Sequence, residues 1–278
     1  MTKIKTTSYE YGSDYQNKQV SKYKNRANNH WQERINIFYK LLDEFALPLF
    51  ENRKKSEITV VDIGCSIGTF ALEAGRNGYN SIGIDFDKEA IEIAEKLAIE
   101  ENVQAQFICG DVSSDIDFKK EIDIAVCFDI FEHLHDDELG ILLQAIKKRL
   151  SKNGVLLYHT FPTKYDYIFF GRSIIHIPLI PFSLFGVKTF TKITKMYALI
   201  IDFFLLLFKN KTYRESIKTS PHCNLLSKEN LSEILNRTGF ENKSIEVSQL
   251  YNLRKKAQNR FRKQPISYRN LYGVAVQK

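Results

Sequence analysis

Residues 58–70 read ITVVDIGCSIGTF. An apolar, β-branched run that ends at an acid and then breaks at glycines 64 and 68 folds most simply as a buried strand leaving its sheet through a tight loop. Glycine there removes the Cβ that would hold the backbone away from a ligand, so a nucleotide-like cofactor is expected beside this loop. Spacing narrows the choice. A dinucleotide fingerprint, G-x-G-x-x-G, sets a pyrophosphate on the next helix N-terminus. Here Gly64, Ser66 and Gly68 fall at every second position, and Thr69 stands where the third glycine would be.

Further apolar runs follow at regular intervals. SIGIDFD (81–87) predicts a strand ending at Asp85, about twenty residues past the loop, where an acid can accept hydrogen bonds from ribose hydroxyls. Phe86 comes next, placed to lie against an adenine. QFICGDV (106–112) predicts a third strand, DIAVCFDIFEHL (123–134) a fourth running into an acidic, histidine-containing turn, and GVLLYHTF (154–161) a fifth after the turn LSKNG.

The pattern D-x-G-x-S-x-G from Asp62 to Gly68 resembles motif I of the class I S-adenosylmethionine (SAM) dependent methyltransferases, with Ser66 at the usual middle glycine. The resemblance covers 58–161 closely and 222–278 in outline. It implies SAM as cofactor, held by Asp62, Gly64, Cys65, Ser66 and Gly68 in the loop and by Asp85 and Phe86 at the ribose and adenine. By the same resemblance, Asp111 and Val112 meet the adenine edge, and Phe128 belongs to the segment carrying the methionine end.

Helical patterns fill the gaps between strands. DKEAIEIAEKLAIEE (87–101) sets Ile91, Ala94 and Ala98 on one face, and DDELGILLQAIKKRLS (136–151) opens with acids and closes with bases, as a helix dipole prefers. SKENLSEILNRTGF (227–240) reads as a helix with Ser227 as N-cap and Gly239 as its stop, followed by strands at 243–249 and 271–277. Strands alternating with helices imply an α/β fold with a doubly wound sheet, here Rossmann-like and seven-stranded. Four segments are expected: an N-terminal helical cap (1–50), a SAM-binding core (51–162), an apolar insertion before the last helix (163–221), and a closing helix and strand pair (222–278). In the cap, Trp31, Ile35, Phe38, Leu41, Leu42 and Phe45 recur at helical spacing, which predicts one helix leading to Pro48, with Tyr11, Tyr15 and His30 as candidates to line the acceptor side.

Charge is distributed unevenly. Residues 51–160 carry 12 Lys and Arg against 21 Asp and Glu, whereas the flanks carry 28 against 12. The basicity belongs to the segments expected to cover the acceptor, which points to an anionic substrate or surface. Cys65, Cys109, Cys127 and Cys223 show no CxxC spacing and the N-terminus lacks an apolar signal core, so a cytoplasmic chain with reduced thiols is expected.

The insertion is too apolar for an ordinary loop. From 165 to 208 it is dense in Phe, Ile and Leu, yet its longest run, Met196 to Phe208, is broken by Asp202 and is shorter than the roughly 20 residues of a bilayer span. A lid, a homodimer surface and a peripheral contact with an anionic membrane all fit. Aromatic and basic residues together favour the membrane. The basic stretch RKKAQNRFRK (254–263), near Tyr251, Phe261 and Tyr268, could meet nucleic acid, but RNA-modifying relatives often carry an N-P-P-[YF] motif where this chain reads FDIFEHL.

That turn holds the candidate acceptor chemistry. Asp129, Glu132 and His133 have i, i+3, i+4 spacing, one face of a helix. They resemble the carboxylate-x-x-Glu-His turn of ubiquinone-biosynthesis O-methyltransferases, which implies a divalent metal such as Mg²⁺ on these three residues; the same turn can simply cap and pack a helix. A hydroxyl acceptor also needs a base, for which His133 leads, ahead of His159 and His222. The expected function is SAM-dependent O-methylation of a lipid-linked, isoprenoid or saccharide acceptor. A soluble small-molecule or RNA methyltransferase, or a non-catalytic SAM-binding regulator, stands as the alternative.

Overall fold

The computed structural model describes residues 13–28, 30–113, 121–163, 222–248 and 270–278, with separate positions between 178 and 207. The basic stretch 254–263 and Tyr11 lie outside the described residues, as does the side chain of His30.

Seven strands form one sheet: β1 (Thr59–Ile63), β2 (Asn80–Asp85), β3 (Gln106–Cys109), β4 (Ile122–Phe128), β5 (Leu150–Thr160), β6 (Phe240–Ser248) and β7 (Asn270–Gln277). Their order is β3-β2-β1-β4-β5-β7-β6, with β7 alone running antiparallel to both its neighbours. β1 is central and buried at all five positions, which is why its sequence is a continuous rather than alternating apolar run. Crossovers from β1 go one way and those from β4 the other, so the crevice at a switch point opens where these two strands end.

Helices α1 (Ser13–Lys24), α2 (His30–Leu41), α3 (Thr69–Arg76), α4 (Lys88–Glu100), α5 (Asp136–Arg149) and α6 (Lys228–Arg237) surround the sheet. On one face Leu139, Leu143 and Ile146 of α5 and Leu231 and Leu235 of α6 pack on Val61, Ala125 and Leu156. On the other, Ile35, Phe38 and Leu41 of α2 pack on Val60, Val126 and Leu157. The expected cap at Ser227 forms, its Oγ accepting from Asn230 N–H at 3.2 Å, and Asp87 caps α4 by accepting from the Glu89 and Ala90 N–H groups at 3.0 and 3.2 Å.

Two expectations are corrected. Among the described residues the N-terminal cap holds two helices, not one, separated by a short turn at Arg26–Asn28 and followed by a wide helical turn at Leu42–Ala46. α1 lies against the core through Gln16, whose Nε2 donates to Asp87 Oδ2 at 2.8 Å, and through fully buried Tyr23, which donates to Glu101 at 2.9 Å. Strand β5 also begins earlier than its sequence suggests. LSKNG is extended and already paired, with Leu150 opposite Ile122, and a register shift before Val155 absorbs the residues read as a turn.

Candidate active site

The loop after β1 is built from three residues with positive φ: Gly64 (+69°), Ser66 (+47°) and Gly68 (+81°). A Cβ at Gly64 would stand 2.6 Å from Ile130 Cδ1, and one at Gly68 would stand 2.5 Å from Phe107 Cε1, so both positions require glycine for space as well as for conformation. Ser66 carries a side chain at the one position of the three where the sequence departs from glycine.

Asp85 ends β2 as expected. Its carboxylate accepts from Ser66 N–H at 2.7 Å and from Asp87 N–H at 2.9 Å, which joins the strand end to the glycine loop. Burial raises its pKa, and those two donors oppose the rise. Phe86 leaves its ring 56% exposed beside this carboxylate, open to a stacking partner. Asp111 is exposed and accepts from Ser113 N–H and Oγ at 2.8 and 2.7 Å, while Val112 is buried.

Three expected loop and cofactor residues point inward. Asp62 is buried and accepts from Ala71 N–H at 3.1 Å, holding the first turn of α3 against β1. Cys65 is buried against Gly83, and Phe128 packs its ring on Phe70 at 4.6 Å and on His159 at 5.5 Å. Each shapes the loop from beneath.

Beyond β4 the acceptor end assembles differently from the expected one-faced triple. Asp129 has φ +57°, a strained value for a non-glycine residue, and this turns its carboxylate toward β5 and α2. Asp129 Oδ1 lies 2.6 Å from His159 Nδ1, and Oδ2 accepts from Arg34 Nε. Burial alone would raise the pKa of Asp129, but the charges of Arg34 and His159 outweigh it and hold the carboxyl well below the usual range. An ionised carboxylate only accepts, so the proton of this pair sits on His159 Nδ1. His159 Nε2 is buried, and among the described residues no hydrogen-bond partner reaches it.

Glu132 faces elsewhere. It is buried, accepts from Thr160 Oγ1 at 2.8 Å, and is pushed well above its ordinary pKa by burial and then by the charge of Asp129. His133 meets His222 instead, with ring centroids 5.0 Å apart. Glu132, His133 and His222 offer ligand atoms within 4.8 Å of one another, so among the described residues the group of three that could grip a cation has His222 in place of Asp129. Burial, and then the neighbouring His133, lowers the pKa of His222 to about 4, leaving its imidazole neutral at physiological pH. Above this floor, burial raises the Tyr15 phenol pKa and Gln19 opposes the rise; Asp129, Asp85 and Glu132 then add to it, so α1 brings this hydroxyl near both ends of the cleft.

A family model described as a methyltransferase domain matches residues 30–245, most of the chain. The chain belongs to the class I SAM-dependent methyltransferases. The ubiquinone biosynthesis O-methyltransferase of Rickettsia akari is 28% identical over 109 residues, 39% of this chain and 42% of that protein. That of Pelagibacter ubique is 30% identical over 119 residues, covering 40% and 46%. The chain thus spans less than half the length of these two relatives. Two solved structures share the fold across nearly the whole length. Magnesium protoporphyrin IX methyltransferase from Synechocystis PCC 6803 with bound SAH has a TM-score of 0.54 at 15% identity, covering 95% of this chain and 97% of that one. A SAM-dependent methyltransferase from Clostridium acetobutylicum has 0.56 at 9%, covering 96% and 99%.

For this methyltransferase, sequence reasoning missed Arg34. The signal was present: a guanidinium on the same helical face as Trp31, Ile35, Phe38 and Leu41, where a lone charge needs a buried partner. The guanidinium also lies 5.8 Å from the Trp31 ring and 5.7 Å from that of Phe161.

Proposed function

We propose that this methyltransferase moves the SAM methyl group to a hydroxyl oxygen, on a lipid-linked, isoprenoid or saccharide acceptor. The observation that carries the reading is the histidine pair after β4: His133 and His222 stand in contact, half-buried, beside the Glu132 carboxyl, whose pKa burial raises. A sulfonium is already an activated donor, so transfer needs alignment first and, for a hydroxyl, a place for its proton. His133 is assigned as that base, with neutral His222 and Glu132 beside it. The Asp129–His159–Arg34 group is assigned to positioning, since it locks the β4 and β5 ends to the cap and holds the floor under the acceptor. The partial matches to ubiquinone-biosynthesis O-methyltransferases support oxygen as the methylated atom.

A second reading gives Glu132, His133 and His222 to a divalent cation. Two imidazoles and one carboxylate fit an ion such as Zn²⁺ better than Mg²⁺, which prefers oxygen donors. Such an ion would supply Lewis acidity toward an acceptor oxygen. Incubation with methyl-labelled SAM and separate lipid, glycan and RNA fractions tests the acceptor. Label released as a methyl ether from lipid or glycan is expected. Label in RNA alone, or on nitrogen, would overturn the assignment, and SAM binding without any transfer would favour a regulatory protein.

A further inference from the structure

Between Met196 and Leu207 in the insertion, six of the described large apolar side chains stand in solvent: Met196 (64% exposed), Leu199 (56%), Ile200 (48%), Phe203 (60%), Phe204 (46%) and Leu207 (62%). All six are helical. At 100° per residue they occupy a single arc of about 140°, while the less exposed Tyr197 and Ile201 fall on the neighbouring arc. One side of this helical stretch is therefore partly covered, and the other presents a continuous apolar stripe to water, of a kind that marks an interaction surface.

We propose that this stripe docks on the surface of an anionic phospholipid bilayer. Charge selects the occupant. Residues 165–221 carry eight Lys and Arg against three Asp and Glu, and Lys192 is exposed one turn before Met196 on the same arc. A second copy of the chain would bring the same positive charges against this face, whereas anionic headgroups neutralise them. Phenylalanines flanked by lysines also match the boundary between acyl chains and headgroups, where rings sit inside and ammonium groups reach outward. The apolar run Met196–Phe208 is shorter than a bilayer span and is broken by Asp202, so the stripe is placed on the bilayer, not across it. Docking stands on the exposed face alone; that the acceptor is drawn from that surface rests on the functional reading above.

Flotation of the full chain with vesicles tests this. The chain is expected to float with phosphatidylglycerol-containing vesicles, several-fold less with pure phosphatidylcholine, and less as salt is raised. Phe203→Ser with Phe204→Ser should release it while the melting temperature and SAM affinity stay unchanged. Because those substitutions touch an apolar segment, Lys192→Glu gives an independent arm, expected to weaken binding to the anionic vesicles roughly tenfold and leave neutral vesicles unaffected. Indifference of the wild type to both vesicles would overturn the proposal. So would sedimentation showing a dimer that the phenylalanine substitutions dissociate, which would give the face to self-association. A chain that floats but methylates no lipid keeps the docking surface and loses only the lipid acceptor.

Discussion

Asp129 and His159 face each other at 2.6 Å from the ends of neighbouring strands, and Asp129 N–H donates back to the His159 carbonyl at 2.9 Å. Side chain and backbone together extend the β4–β5 pairing one residue beyond the sheet, with Arg34 closing the group from α2. The cap is thereby fastened to the carboxyl end of β4 by charge as well as by the Phe38, Phe70 and Phe128 rings.

Removing the guanidinium leaves a mostly buried carboxylate short of its main partner. Arg34→Met is expected to destabilise the fold by roughly 3 kcal/mol, the lower end for breaking a buried ion pair because Asp129 retains some exposure. Urea unfolding of Arg34→Met, Asp129→Asn and the double variant should show the two losses to be strongly non-additive. The folded-state pKa of Asp129 is depressed, so its contribution is present above its unfolded pKa of about 4 and fades as pH falls toward the folded value.

The two carboxylate oxygens of Asp85, the proposed ribose ligand, are held by the Ser66 and Asp87 N–H groups. Asp85→Ala should weaken SAM and its demethylated product alike, by roughly 1.5 to 3 kcal/mol, the range for hydrogen bonds to a charged group. Calorimetry on both ligands checks this. An equal loss is required, since the ribose is the same in each; loss for SAM alone would place Asp85 near the methyl group.

The loop and strand ends were legible because their constraints are local. Positive φ at Gly64 and Gly68, and an acid at the end of an apolar run, are imposed within a few residues. The acceptor end was only half legible. Arg34 lies 95 residues from Asp129, and His159 lies 30 from it, so their meeting depends on strand order and on how the cap docks. Helical spacing put Asp129 with Glu132 and His133, but the turn is helical only over Phe131–His133, and the strained φ at Asp129 sends its carboxylate the other way. The cap was read as one helix because the apolar stripe of α2 carries the signal, while α1, SDYQNKQVSKYK, is polar and held by hydrogen bonds.

The two roles proposed for His133, base and metal ligand, separate experimentally. His133→Ala is expected to lower kcat by roughly a hundredfold while the Kd for SAM changes little, because the residue is assigned to the acceptor side. With a base alone, chelators leave the wild type unaffected and His222→Ala costs less than His133→Ala. With a cation, chelators abolish activity, added Zn²⁺ restores it, and both histidine variants fail alike. Full activity of His133→Ala would remove it from both roles.

Asp62 gives the sharpest pH prediction. It lies beneath the glycine loop with its carboxyl fully enclosed, and burial pushes its pKa up to about 7 from an ordinary 3.8, against the opposing hydrogen bonds from Ala71 and Phe70 N–H. A carboxyl with a raised folded pKa binds more protons folded than unfolded between those two values, so its contribution to stability falls as pH rises from about 4 to about 7, then levels off. Asp62→Asn keeps an acceptor for the start of α3 and cannot ionise. Unfolding free energies of wild type and variant, measured in parallel across that window, share every other titration, so their difference isolates this group. The variant should gain on the wild type with rising pH up to about 7 and hold its advantage above it. A difference that stays flat across that window would show that the two N–H donors keep Asp62 ionised throughout, and that the loop rests on a buried carboxylate anion.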